Sequence, residues 1–188
     1  MATTGRRLLS ADDLLRLPDD GLRHELVRGE LRTMSPGSRP HGRIAMKLGW
    51  PLAQYVEAHA LGEVYAAETG FKLAEDPDTV RAPDVSFVRR ERLAGMADEG
   101  FLAGAPDLAV EVLSPGDRPA EVAKKVADWL TYGAALVWVV NPRRRNVTEH
   151  RPGQPARVLD ENDVLDGADV VPGWRLSVRA LFADLPAD

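Results

Sequence analysis

The chain has 188 residues, 24 Lys and Arg against 29 Asp and Glu for a formal charge of −5, 44% hydrophobic residues and no cysteine. Domains run to roughly 100–200 residues, so this length fits one domain with a sizeable core, and disulfide frameworks, thiolate metal sites and cysteine nucleophiles are excluded. The acidic balance argues against coating nucleic acid by bulk charge, yet leaves room for a locally basic groove around an acidic centre. The longest apolar run, Ala134 to Val140, is far shorter than the roughly 18–20 residues of a membrane-spanning helix, and Met1 to Arg7 opens no signal-peptide pattern. The chain therefore reads as a soluble, cytoplasmic protein.

Ser10 is a candidate N-cap for a helix over Ala11 to Leu17, stopped by Pro18. His24 to Val27 and Glu30 to Met34 flank Arg28-Gly29 and predict a tight hairpin. Ile44, Leu48, Leu52, Tyr55 and Val56 recur at helical spacing up to about His59, across Pro51. A strand-like pattern runs from Glu63 to Leu73, the turn Asp76-Pro77-Asp78 follows, and Val80 to Val88 is extended again, with Asp84 and Ser86 opposite Val85 and Phe87. Arg89 to Gly104 is a polar connection with some helix. Asp107 to Leu113 is a clean strand with Leu108, Val110 and Val112 on one face and a charged Glu111 on the other. A helix opens at Pro119 with the apolar stripe Val122, Val126, Trp129 and Leu130 and ends at Gly133, and Ala135 to Val140 is a strand buried on both faces. A hairpin over Asn146 to His150 and Arg157 to Leu159, a strand near Val170 and a short helix over Val178 to Phe182 complete the chain. The pattern predicts one mixed α/β domain over 1–188, with an N-terminal helix and hairpin (10–34), a core (38–142) and a C-terminal hairpin and tail (143–188).

Glu111 is the most informative residue, because strands are depleted in Glu and a carboxylate in a core strand is costly unless paired or metal-bound. Asp84 opens another strand after Pro83. At about 100° per residue, Lys125 lies about 60° from Val122 and about 40° from Trp129, on the border of the buried helix face, whereas Lys124 points to water. Two carboxylates and this lysine fit a site for one hard divalent cation, Mg²⁺ or Mn²⁺. The same residues fit a buried structural Glu111–Lys125 ion pair, and both readings stay open. The absence of Walker, GxSxG, HExxH and CxxC motifs removes support for nucleoside-triphosphate hydrolysis, serine-esterase chemistry and zinc proteolysis.

The segments Arg81-Ala82-Pro83-Asp84-Val85, Pro106-Asp107-Leu108-Ala109-Val110-Glu111-Val112-Leu113-Ser114-Pro115, Lys125 with Trp129, and Val137-Trp138-Val139-Val140-Asn141-Pro142 resemble the Uma-two family of bacterial endonucleases. His24-Glu25-Leu26-Val27-Arg28-Gly29-Glu30-Leu31, Met34-Ser35-Pro36 and His41 resemble its opening, so the likeness spans nearly the whole chain. The resemblance places the chain in the PD-(D/E)XK nuclease superfamily and implies a restriction-endonuclease-like fold, a central mixed sheet flanked by helices. It implies an endonuclease dependent on Mg²⁺ or Mn²⁺, with DNA as the expected substrate and RNA or a small phosphodiester as the alternative, and a homodimer is expected because two-strand cleavage is often met by two-fold pairs of active sites. Asp84 and Glu111, with the Val112 carbonyl, would hold the metal. The superfamily lysine two residues after the acid is replaced by Leu113, which leaves Lys125 as the lysine supplied from the following helix. Glu25 resembles a further family acid, either a ligand or water-positioning group or an exposed hairpin carboxylate. His41 is a phosphate contact or, more commonly for such a residue, a helix cap or surface group. Arg143, Arg144 and Arg145, with Arg89, Arg90 and Arg92, are candidate phosphate contacts, and Asp107 shares a strand face with Glu111 but suits a strand start better. The competing reading is a non-catalytic nucleic-acid-binding or protein-interaction domain that keeps the fold.

Overall fold

A computed structural model describes residues 8–96 and 99–183. The stretch Met1 to Arg7, the one read for a signal peptide, lies outside the described residues, as do 97–98 and 184–188. Helix α1 (Ala11–Leu15) is closed by a reciprocal capping box between Ser10 and Asp13, which satisfies two otherwise orphaned backbone donors. It stops short of the predicted Leu17. Strands β1 (Arg23–Val27) and β2 (Glu30–Met34) pair across Arg28 and Gly29. Both turn residues have positive φ, 51° and 76°, the geometry that matches strand twist in a two-residue hairpin. Helix α2 (Arg39–Ala58) runs unbroken through Pro51.

The two extended stretches between Glu63 and Val88 each divide. The first becomes β3 (Gly62–Ala66) and β4 (Phe71–Ala74), the second β5 (Thr79–Arg81) and β6 (Val85–Arg89). In each case one half joins one sheet and the other half joins another. Gly70 and Ala82-Pro83 are the break points, where the chain passes between layers. The polar connection holds a short helix α3 (Arg90–Leu93) and a two-residue strand β7 (Leu102–Ala103). Strand β8 (Leu108–Val112), helix α4 (Pro119–Thr131) and strand β9 (Leu136–Asn141) follow, then β10 (Asn146–His150) and β11 (Arg157–Leu159). Val170 lies in a turn rather than a strand, between β12 (Val164–Asp166) and β13 (Arg175–Ser177), and α5 (Val178–Phe182) comes last.

Among the described residues, a six-stranded mixed sheet has the order β11-β10-β9-β8-β6-β3 and a five-stranded sheet the order β2-β1-β5-β4-β7. Strand β8 is central, antiparallel to β6 and parallel to β9. Its alternation sorts the core. Leu108, Val110 and Val112 face a cluster with Ile44, Leu48 and Leu52 of α2 and Leu181 and Phe182 of α5. Ala109 faces a second cluster with Val126 and Trp129 of α4 and Phe71 and Leu73 of the smaller sheet. Glu111 shares the Ala109 face and is therefore turned toward α4.

Gly62 starts β3 with φ of +154°, and a Cβ there would meet the Val88 carbonyl oxygen at 2.0 Å and the Arg90 nitrogen at 2.9 Å. The β3–β6 edge thus requires the absence of a side chain. Gly62→Ala is expected to destabilise the protein by more than about 1 kcal/mol, read as a lower urea midpoint, and an unchanged midpoint would show that the edge relaxes freely.

Candidate active site

Asp84 immediately precedes β6, and its N–H donates to the Val110 carbonyl at 2.9 Å, which locks the residue against β8. Its Oδ2 accepts from the Val112 N–H at 2.8 Å and lies 3.1 Å from His41 Nε2, while Oδ1 is 3.7 Å from Arg23 Nη1. Burial pushes the Asp84 carboxyl up, but His41 and the Val112 N–H outweigh it and hold the group below the usual carboxylate value. His41 is correspondingly raised, chiefly by its hydrogen bond to Asp84. The cap or surface position expected for His41 is not found. Ser38 caps α2, its hydroxyl accepting from the His41 N–H at 3.4 Å, and the His41 side chain is buried.

Glu111, near the end of β8, is 8% exposed. Its Oε1 accepts from Trp129 Nε1 at 2.8 Å and its Oε2 from Lys125 Nζ at 2.9 Å. Trp129 and Lys125 are four residues apart on α4, hence neighbours on one helix face. Lys125 Nζ also meets Glu25 Oε1 at 3.0 Å and donates to the Ala82 carbonyl at 3.2 Å. Glu25 is 3% exposed and accepts from the Ala82 N–H at 3.1 Å and from Arg81 Nη1 at 3.0 Å. It is not an exposed hairpin carboxylate. Arg81 reaches on to Asp128 of α4, with Nε at 2.7 Å.

The charges balance unevenly. Burial pushes the Glu111 carboxyl up to about 7, against the pull of Lys125 and reinforced by Asp84 and Glu25. Burial opposes the Lys125 charge too, but Glu111 and Glu25 outweigh it, so the ammonium is held above its ordinary value. Burial raises Glu25, yet Lys125, Arg81 and the Ala82 N–H leave it below the ordinary value.

The structure brings Glu111, Lys125 and Glu25 into one hydrogen-bonded network and Asp84 and His41 into a second, which meets the first at the β8 main chain through the Val112 N–H. Lys124 instead pairs with Glu121 at the surface. The other sequence candidates separate. Asp107 holds the Arg89 N–H at 2.9 Å and Arg92 Nη1 at 3.0 Å, at the opposite end of β8 from Glu111. That is about 13 Å of strand away, which removes Arg89, Arg92 and Asp107 from the site. Arg145 is engaged by Glu161 at 2.7 Å and lies over the Phe182 ring. Arg143 and Arg144 occupy the turn after β9, at the sheet end where Glu111 lies, and line a groove with Ser114 and Asp117.

Arg23, Arg81 and the Trp129 indole were not singled out as site residues. Arg81 carried a usable signal, since a charged side chain in a short strand between apolar residues needs a partner if it is buried. Trp129 read as part of an apolar stripe and of the family resemblance, with no role of its own.

Among the described residues, no group of three or more His, Cys, Asp or Glu side chains is arranged to hold a metal ion. The hard oxygen donors at hand are the Asp84 and Glu111 carboxylates and a main-chain carbonyl. In an extended strand a residue's N–H and C=O point to the same side. The Val112 carbonyl is thus turned, with its N–H, toward Asp84, while Leu113 donates to β9 through Val140 at 2.9 Å. Two carboxylates, one carbonyl and water suit Mg²⁺, which usually keeps several waters and takes one or two protein carboxylates. The donor set fits.

Removing the Glu25 charge leaves Lys125 and Arg81 sharing a buried space without their common anion. Glu25→Gln is expected to cost on the order of 3–5 kcal/mol at pH 7, measured by urea unfolding. Because the folded-state value lies below 4.5, this contribution is present above pH 4.5 and fades as pH falls through the folded value. A wild type and variant whose stability difference stays constant down to pH 3 would contradict this.

Comparison with known proteins identifies the family and the fold. The profile of the Uma2 family, described as "Putative restriction endonuclease", matches residues 11–179. A crystal structure from Anabaena variabilis, described as a putative nuclease belonging to DUF820, superposes with a TM-score of 0.80 at 22% identity, covering 93% of this chain and 97% of that one. A search among curated proteins finds no match. No helix among the described residues is long and apolar enough to cross a membrane. The chain belongs to the Uma2 family and has the fold of its restriction-endonuclease-like members.

Proposed function

We propose that the protein is a divalent-metal-dependent endonuclease that hydrolyses phosphodiester bonds in DNA, in the cytoplasm. The observation that carries this reading is the placement of Asp84 and Glu111 at adjacent ends of β6 and β8, with Lys125 of α4 bound to Glu111. Restriction-endonuclease-like nucleases generally use divalent cations. Here Asp84, Glu111 and the Val112 carbonyl would hold Mg²⁺ or Mn²⁺, which polarises a phosphoryl oxygen and lowers the pKa of a water when bound.

The chain's own groups do the rest. His41 and the Val112 N–H fix the Asp84 carboxylate, and Trp129 fixes that of Glu111, so both ligands are aimed before substrate arrives. Lys125 stays protonated between two carboxylates, which suits it to donate hydrogen bonds to an attacking water or a phosphoryl oxygen rather than to take a proton. Glu25 positions Lys125 and is itself saturated by Arg81 and Ala82, so it serves as a positioning residue rather than a metal ligand. Arg143 and Arg144, at the same end of the sheet as Glu111, would be the cationic groups that meet a phosphate backbone leaving the site. A homodimer would bring two such sites into one assembly.

A second reading is favoured by one observation. Lys125 has three oxygen partners without substrate, as a structural ion pair in a non-catalytic nucleic-acid-binding or protein-interaction domain would.

Cleavage of single-stranded and supercoiled DNA, with RNA in parallel, in Mg²⁺ and in Mn²⁺ separates the two. Asp84→Ala, Glu111→Ala and Lys125→Ala are expected to lose at least about 100-fold in rate, and Lys124→Ala to match the wild type. Folded wild type that cleaves nothing would establish the second reading.

Cation binding should also follow the Glu111 carboxyl. A cation takes the ionised form, so Mn²⁺ affinity is expected to fall as pH drops below about 7, approaching tenfold per unit. Glu111→Gln should bind more weakly and lose that slope. Wild-type affinity that is flat from pH 6 to 8 would contradict the assignment of Glu111 as a ligand.

A further inference from the structure

A groove of about 670 Å³ runs between α2 and the edge strand β3 and ends at Asp84, within the range of roughly 300–1,000 Å³ common to small-molecule sites. Its floor on α2 is made by Gly42, Ala45, Gly49 and Ala53, at the three- and four-residue spacing of one helix face. A side chain here would narrow it. A Cβ on Gly49 would press on Val85 at 3.3 Å, and one on Gly42 would stand in open space. Two large apolar side chains stand over this floor, Met46 at 58% exposure and Trp50 at 57%. They too lie one helical turn apart.

Charge varies along the groove. At the Asp84 end stand Arg23 and His41, the cationic partners of that carboxylate. The one further charged group of the lining, Glu68, stands on the other side of Arg23, its Oε1 3.9 Å from Arg23 Nε and 72% of its side chain exposed, and the rest of the lining is uncharged. An anionic backbone would find Arg23 already flanked by two carboxylates, Asp84 and Glu68, and would gain nothing from Met46 and Trp50. A nucleobase gains from both, by stacking and by contact with a polarisable thioether, and an N–H of its pairing edge can donate to a carboxylate.

We propose that this groove binds an unstacked nucleobase of the substrate strand, next to the phosphate held at Asp84, so that the protein prefers single-stranded or locally unpaired DNA to intact duplex. The proposal rests on the nuclease reading for its substrate and adds the strand state that the site selects. Neighbouring bases in a duplex are paired and stacked, and extruding one carries a free-energy cost that a single strand or a mismatch largely avoids. The groove takes the base while Arg23 and His41 stand beside the phosphate.

Tryptophan emission tests this directly. Trp129, Trp138 and Trp174 are at most 3% exposed, so Trp50 is the tryptophan that solvent and ligand reach. Full-length protein in EDTA, which stops cleavage, is titrated with oligothymidylate, with a blunt duplex of the same length and with an abasic oligomer of the same charge. Quenching is expected with oligothymidylate and not with the duplex or the abasic oligomer. Trp50→Ala should bind oligothymidylate roughly 5- to 150-fold more weakly by fluorescence anisotropy. In the cleavage assay it should raise KM for single strands more than it lowers kcat. Trp50→Phe, which keeps a stacking ring, should restore affinity without the emission change. Equal quenching by the abasic oligomer, or unchanged affinity in Trp50→Ala, would overturn the proposal. So would Trp50 emission that depends on protein concentration and ignores DNA, since a second copy of the chain would then fill the groove. Cleavage that persists with any of these results leaves the nuclease reading standing, whereas absent cleavage with base-selective quenching removes that reading and keeps the groove.

Discussion

The Lys125 ammonium is the joint on which the site depends. It contacts the carboxylates of Glu25 and Glu111 and the Ala82 carbonyl within 2.9–3.2 Å, and these belong to three separate pieces of chain. Glu25 is on the smaller sheet, Glu111 is on the central strand of the larger one, and Ala82 is in the link between β5 and β6. The lysine itself comes from α4. One cation therefore fixes how two sheets and a helix meet. Removing such a charge would leave two buried carboxylates repelling each other in a medium where that repulsion is poorly screened. Arg81 braces the same junction by bridging Glu25 to Asp128 of α4.

This arrangement explains how the chain tolerates Leu113 at the strand position where the superfamily pattern carries its lysine. Leu113 is two residues beyond Glu111, so its side chain shares that face, but it packs with the apolar cluster under α4. The cation arrives from above instead, from a helix whose other contact residue, Trp129, grips the second oxygen of Glu111. Lysine and indole, one helical turn apart, thus hold both oxygens of a single carboxylate. A hydrogen bond from an uncharged donor at Oε1 and a charged one at Oε2 fixes its rotamer, which a ligand group needs if a cation is to find it already aimed.

Much of this was legible in the sequence, and the reason differs by element. The β8 strand and α4 helix carry strong periodic patterns, and the helical angle alone put Lys125 on the border of the buried face. The divisions of Glu63 to Leu73 and Val80 to Val88 were not legible, because a strand that leaves one sheet and enters another keeps its alternation through the crossing. His41 was misjudged since a histidine in the first turn of a helix has nothing local to mark it as buried. Its partner, Asp84, lies 43 residues away. Glu25 was underdetermined for the same reason, as its burial is created by Lys125 and Arg81 rather than by its own hairpin. The groove over α2 was invisible, because small residues at helical spacing have the same pattern whether another element packs on them or solvent does.

On the proposed function, Asp84, Glu111 and the Val112 carbonyl form a divalent-cation site beside Lys125. The most direct measurement is anomalous diffraction from crystals soaked in Mn²⁺. The account expects one anomalous peak within coordination distance, about 2.0–2.4 Å, of both carboxylates, with Lys125 still against Glu25. A peak elsewhere on the protein, or none at a concentration that saturates binding in solution, would contradict it and leave the Glu111–Lys125 contact as a structural ion pair.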